Sequence, residues 1–107
     1  MIIAVDFDGT LCKNAFPEIG NPNTYLIKDL IKRRDQGDKV ILWTCRVFEQ
    51  VTKAVDWCKS YGLEFDAVNQ NLPEVIAHWA GEGRKIYADM YIDDRAVNVN
   101  DYKVWRG

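Results

Sequence analysis

The sequence predicts an α/β domain built on a mostly parallel sheet with helices on both faces. Two observations carry that expectation. Short apolar runs rich in β-branched residues alternate with amphipathic stretches, giving a β-α-β-α-β-α-β order. Each apolar run is continuous rather than alternating, as strands buried on both faces require. The first run is Met1-Ile2-Ile3-Ala4-Val5. A polar segment containing Gly and Pro follows, and then Leu26, Ile27, Leu30 and Ile31 recur at helical spacing up to Gly37, a C-terminal stop. Val40-Ile41-Leu42-Trp43 reads as a second buried strand. Val47, Val51, Ala54, Val55 and Cys58 line one helical face closed by Gly62. Residues 65–68 form a short third strand. Pro73 opens a further helix carrying Val75, Ile76 and Trp79. Met90-Tyr91-Ile92 is a fourth strand, and residues 96–99 are a fifth strand or a loop.

With 107 residues, the chain is expected to be one domain over residues 1–107 with one core. Apolar residues at 48% and charged residues at 28% argue against disorder. Lys and Arg number 14 against 16 Asp and Glu, a net charge of −2, which disfavours a long footprint on nucleic acid. The apolar runs are far too short for a membrane span, and Asp6 interrupts the N-terminal one before it resembles a signal peptide. Cys12, Cys45 and Cys58 form no C-x-x-C pair, so reduced thiols and a cytoplasmic location are expected rather than a disulfide framework or zinc site.

In an open parallel sheet, ligands bind beyond the carboxyl ends of the strands. The residues at those ends are Asp6, Asp8, Gly9 and Thr10, then Thr44 and Arg46, then Asn69 and Asn71, and finally Asp93, Asp94 and Arg95. Four acids therefore converge if the strands are neighbours. Two carboxylates about 4 Å apart repel by roughly 4 kcal/mol at an effective dielectric near 20. Such a group needs a cation, a shared proton or basic neighbours. All-oxygen donors with room for water suit Mg²⁺ better than Ca²⁺. Arg46 and Arg95 are placed to grip an anionic substrate group or to pair with a nearby acid. Asn69 and Asn71 serve either turn chemistry or substrate contact. His78 reads as an ordinary helix residue, and Lys32-Arg33-Arg34 as a solvated helix end complementing the dipole. Trp57, Trp79 and Trp105 read as packing or anchoring residues rather than a base-stacking platform.

The run Asp6-Phe7-Asp8-Gly9-Thr10-Leu11, directly after an apolar strand, resembles the first signature of the haloacid dehalogenase (HAD) superfamily of phosphotransferases. An apolar strand ending in Thr44, then Lys85, then a strand ending in Asp93-Asp94 resemble its later signatures in order, so the likeness spans residues 1–95. The resemblance implies a three-layer Rossmann-like fold and a Mg²⁺-dependent phosphatase. It implies Asp6 as the nucleophile forming an aspartyl phosphate. Asp8 is then the general acid and base, with its backbone carbonyl on the metal. Gly9 lets backbone approach the phosphate, Thr44 donates to a phosphoryl oxygen, and Lys85 neutralises the shared charge. Asp94 contacts Mg²⁺, with Asp93 supporting it directly or through water.

The short 11–21 segment and the 44–85 interval leave no room for a cap domain, so the resemblance is to a capless member. An uncapped site must be covered by its substrate or by another subunit. The expected partner is a phosphorylated small molecule, with a nucleotide or a polynucleotide end as further candidates. A different class, a non-catalytic Mg²⁺- or phosphate-binding interaction or regulatory module on the same fold, stands beside the enzyme. A receiver-like signalling domain fits poorly, because its phosphorylated Asp lies on a later strand.

Overall fold

A computed structural model describes residues 1–102. Its elements are β1 (Ile2–Val5), β2 (Cys12–Ala15), β3 (Glu18–Pro22), α1 (Thr24–Asp35), β4 (Lys39–Leu42), α2 (Glu49–Ser60), β5 (Ala67–Val68), α3 (Pro73–Trp79) and β6 (Met90–Ile92), followed by a 3₁₀ turn at Val99–Asp101. Strands β5, β4, β1 and β6 form one sheet in that order, and every pairing in it is parallel. The protein is thus a mixed α/β domain with a four-stranded parallel sheet and three helices. No helix among the described residues is long and apolar enough to cross a membrane.

Alternation along each strand divides the core between the two faces of the sheet. Ile3, Val5, Val40 and Leu42 share one cluster with Ile27 and Leu30 of α1 and with Ala54 and Cys58 of α2. Ala4 and Ile41 belong to a second cluster with Leu72, Ile86 and, at its margin, Val75 of α3. Trp57 of α2 meets Phe7 edge-on, with ring centroids 5.6 Å apart, so the helix packs directly on the turn after β1.

Several expectations change. The polar 11–21 segment contains an antiparallel β2–β3 hairpin. Most of its strand residues are exposed, so no apolar alternation announced it. Trp43 lies just past β4 and is 39% exposed rather than buried in a strand. Val47 precedes α2 and is exposed, so it is not part of the helical face. The third strand shrinks to two residues, and 96–99 is loop leading into the 3₁₀ turn. Gly37, at φ +102°, follows the α1 cap residue Gln36, which matches the predicted stop. Arg34 is ion-paired and only partly exposed rather than freely solvated. It holds Asp66 through two bonds of 3.2 and 3.0 Å, while Asp66 also accepts from the Val40 N–H at 2.8 Å. Burial pushes the Asp66 carboxyl up, but Arg34 and the Val40 N–H outweigh it and hold it below the usual range. Trp79 is exposed, and Trp105 lies outside the described residues.

The ladder continues past the formal strand ends. The Asp6 N–H donates to the Ile92 carbonyl at 3.0 Å and the Trp43 N–H to the Val5 carbonyl at 2.9 Å. Those bonds align the carboxyl ends of β4, β1 and β6 and set the residues after them side by side.

Candidate functional site

An open pocket of about 230 Å³ lies at that aligned edge. Asp6 and Asp8 reach it from β1, Thr44 and Cys45 from β4, Asp93, Asp94 and Arg95 from β6, and Asn14 from the hairpin. Asp6, Asp93 and Asp94 each offer a carboxylate oxygen, and these oxygens all lie within 4.8 Å of one another. Asp6 is half-buried at the end of the central strand. Burial raises its carboxyl above the ordinary range, and the charges of Asp93, Asp94 and Asp8 push the same way against the Phe7 N–H.

Gly9 fits under this cluster because it lacks a side chain. Its φ is +84°, and a Cβ there would run into the Asp94 carboxylate. Gly9→Ala should therefore lower stability by more than about 1 kcal/mol, a fall in melting temperature of about 4 °C or more. An unchanged melting curve would show that Asp94 does not press on this turn.

Asp8 stands apart from the other acids. Both of its oxygens accept from Arg46, at 2.8 Å from Nε and 2.7 Å from Nη2. Arg46 is 2% exposed, so it is an inward clamp and does not present its guanidinium to a substrate. Two further N–H groups donate to the Pro17 and Glu18 carbonyls at 3.2 and 3.0 Å. Its guanidinium carbon also sits 5.1 Å from the ring centroids of both Phe7 and Phe16. One buried cation thus joins Asp8 to the hairpin. The Asp8 carboxylate, expected as the general acid and base, is turned to that cation.

The other nominated residues divide cleanly. Thr44 stays at the pocket; its hydroxyl accepts the Arg46 backbone N–H at 3.1 Å, which leaves the hydroxyl proton free to donate. Asn69, at φ +53°, accepts the Thr44 N–H at 2.8 Å through its side chain. It is a clamp on the β4 end rather than a pocket residue. Asn71 is buried and ties its loop to Glu82 and to the Tyr87 N–H, 11 and 16 positions away, so it serves neither a local turn nor the acidic pocket. The Arg95 N–H donates to Asp93 at 2.9 Å, and among the described residues no carboxylate pairs with its guanidinium. Lys85 does not enter the acidic pocket. Its Nζ lies 5.8 Å from the Tyr91 ring centroid, in a neighbouring cavity that shares Asp93. Three cysteines are free, Cys12 and Cys58 buried and Cys45 exposed; burial pushes the Cys58 thiol up to about 12.

Sequence reasoning missed the hairpin contribution of Asn14 and the second role of Arg46. A buried arginine two residues past a strand-end threonine carries no local signal for the carbonyls it will meet.

Fold and site define an α/β protein with a carboxylate-lined pocket at the carboxyl edge of a parallel sheet. No family model matches the chain, and no curated protein does. It is similar to the solved structure of a conserved protein from Bacteroides thetaiotaomicron, at 39% identity and a TM-score of 0.80, over 98% of this chain and 83% of that one. The chain belongs to the same family as that conserved protein.

Proposed function

We propose that this protein is a Mg²⁺-dependent phosphomonoester hydrolase, a capless HAD-type enzyme on a three-layer Rossmann-like fold. The observation that carries the reading is the convergence of the Asp6, Asp93 and Asp94 oxygens, with Thr44 in the same pocket. Three carboxylates this close repel one another unless a cation offsets them; burial raises the Asp6 carboxyl first, and the neighbouring acids add to it. An all-oxygen set open to water suits a hard divalent ion. Asp6, Asp93 and Asp94 would hold Mg²⁺, which when bound neutralises charge on the nucleophile and the phosphoryl group.

The chain's residues then divide the work. An Asp6 oxygen attacks phosphorus; the new O–P bond forms as the ester P–O bond breaks, and the electron pair leaves with the alcohol oxygen. Thr44 Oγ1 donates to a phosphoryl oxygen. In the second half, Asp8 takes a proton from water, the resulting oxygen attacks phosphorus, and Asp6 is released as a carboxylate with inorganic phosphate. The bidentate Arg46 bond fixes the orientation of the Asp8 carboxyl group for the base step. To protonate a poor leaving group, Asp8 must first part from one Arg46 N–H. Aryl phosphates, whose leaving group departs without that proton, are the substrates this arrangement handles most directly. Arg95 and Lys85 supply positive charge at the rim. The same reading puts the protein in the cytoplasm and its open mouth under the substrate or a second subunit.

A non-catalytic Mg²⁺- or phosphate-binding module is the second reading, and the tethering of Asp8 favours it. Hydrolysis of para-nitrophenyl phosphate with Mg²⁺ and with chelator separates the two. Turnover that is lost with chelator and restored by Mg²⁺ is expected. Metal binding without turnover across a broad phosphoester panel selects the module, and neither binding nor turnover removes both.

A further inference from the structure

Beside the acidic pocket lies a cavity of about 650 Å³ along β6, a size typical of small-molecule sites, and Asp93 lines both. Trp43 and Tyr91 form its aromatic wall, with ring centroids 5.7 Å apart and planes inclined by 54°. The Lys85 ammonium stands over the Tyr91 ring, and exposed Val97 lines the outer side. Strand alternation explains the placement. Trp43 follows Ile41 at a spacing of two, and Tyr91 pairs with Ala4, so both rings share the face of the second core cluster. Helix α3 spans only seven residues, and its Val75 packs with the cluster of Ile41, Ala67 and Leu72, leaving Trp43 partly bare.

Resting on the hydrolase reading above, we propose that this shelf binds the base of a free nucleoside monophosphate whose phosphate sits at Asp6. Asp93 lines both the acidic pocket and the shelf, so a phosphate held at Asp6 has its alcohol portion directed beside the Trp43 and Tyr91 rings. A planar ring with an apolar face and a polar edge matches the wall, because bases stack on aromatic side chains. Lys85 is placed to donate to acceptors on the base edge. A sugar phosphate would leave the rings uncovered. The net charge of −2 and the acids at the mouth favour a free nucleotide over a polynucleotide end.

The test compares adenosine monophosphate with ribose 5-phosphate, the same phosphoester without its base, on the intact chain with Mg²⁺. The nucleotide is expected to show a KM lower by about tenfold or more. That ratio should fall toward one in Trp43→Ala and in Trp43→Leu, which keeps apolar bulk should the alanine variant not fold, and return in Trp43→Phe. General damage to the scaffold would move both substrates together. Equal KM values in the wild type, or a ratio unmoved by either variant, overturn the shelf while leaving the hydrolase reading intact. A lower KM for a phosphorylated oligonucleotide than for the mononucleotide overturns the free-nucleotide assignment. If nothing is hydrolysed, the hydrolase reading falls, and calorimetry with the same two ligands decides the shelf. Tighter nucleotide binding that Trp43→Ala removes upholds it, and indifference to the base overturns it.

Discussion

Asp6→Asn should lower metal-dependent phosphoester turnover by about a thousandfold or more, because it replaces the carboxylate proposed to attack phosphorus with a weakly nucleophilic amide. Loss of activity alone is weak evidence, since any damaging substitution achieves it. The raised Asp6 carboxyl supplies an opposite-signed second readout. A carboxyl whose folded pKa exceeds its unfolded value costs nothing below both values. It costs stability increasingly as pH rises through the window from the ordinary value of 3.8 to the raised folded one, and the full penalty persists above. At neutral pH without metal, the wild-type fold therefore bears a charge penalty that asparagine lacks. Asp6→Asn should melt higher than wild type in chelator at pH 7, and the difference should vanish well below pH 3.8, where Asp6 is protonated in both states. With Mg²⁺ added, the wild type should gain thermal stability and the variant should gain less. A variant that is inactive and also less stable without metal at neutral pH would show that Asp6 is a structural acid, and the nucleophile assignment would fail.

The parallel sheet and the carboxylate edge were legible because both follow from repeating patterns. Residues 1–5, 40–43 and 90–92 are short, continuously apolar runs, each followed by polar residues, so they read as strands with their sides covered. A parallel sheet then directs Asp6, Thr44, Asp93 and Asp94 to one edge without further information. What was illegible depends on long-range partners. Asp8 and Asp6 are two residues apart and chemically identical, yet one joins the carboxylate cluster and the other turns to a buried arginine 38 positions away. Arg34 looked solvated because the sequence does not show that Asp66 will arrive beside it. The hairpin escaped notice because an exposed two-stranded ribbon needs no apolar periodicity. It is held partly by side chains from elsewhere, above all Arg46.

Arg46→Met should therefore cost about 3 kcal/mol, a large share of the 5–15 kcal/mol that holds a typical domain together. The methionine keeps an unbranched apolar chain beside Phe7 and Phe16 but removes the guanidinium that lies over both rings, with every polar bond it makes. Three acceptors lose their partner at once: the Asp8 carboxylate and the Pro17 and Glu18 carbonyls. The Asp8 side chain is 19% exposed, so water can reach it and the loss stays near the lower end for a broken buried pair. For a domain of this size, that corresponds to a fall in melting temperature of more than about 10 °C. Arg46→Lys should recover only a minor part, because one ammonium cannot reproduce a planar fork on Asp8 together with two carbonyls. Removing Asp8 instead is the harsher change in principle, since it strands a guanidinium whose side chain is 1% exposed. Combining Asp8→Asn with Arg46→Met should then cost less than the two separate losses summed, by at least about 1 kcal/mol. Amide exchange gives the spatial readout: protection across residues 12–22 should drop in Arg46→Met before the β1 and β4 amides are affected. Additive single losses, or a hairpin whose exchange is unchanged, would mean that Arg46 neither holds Asp8 nor straps the ribbon to the site.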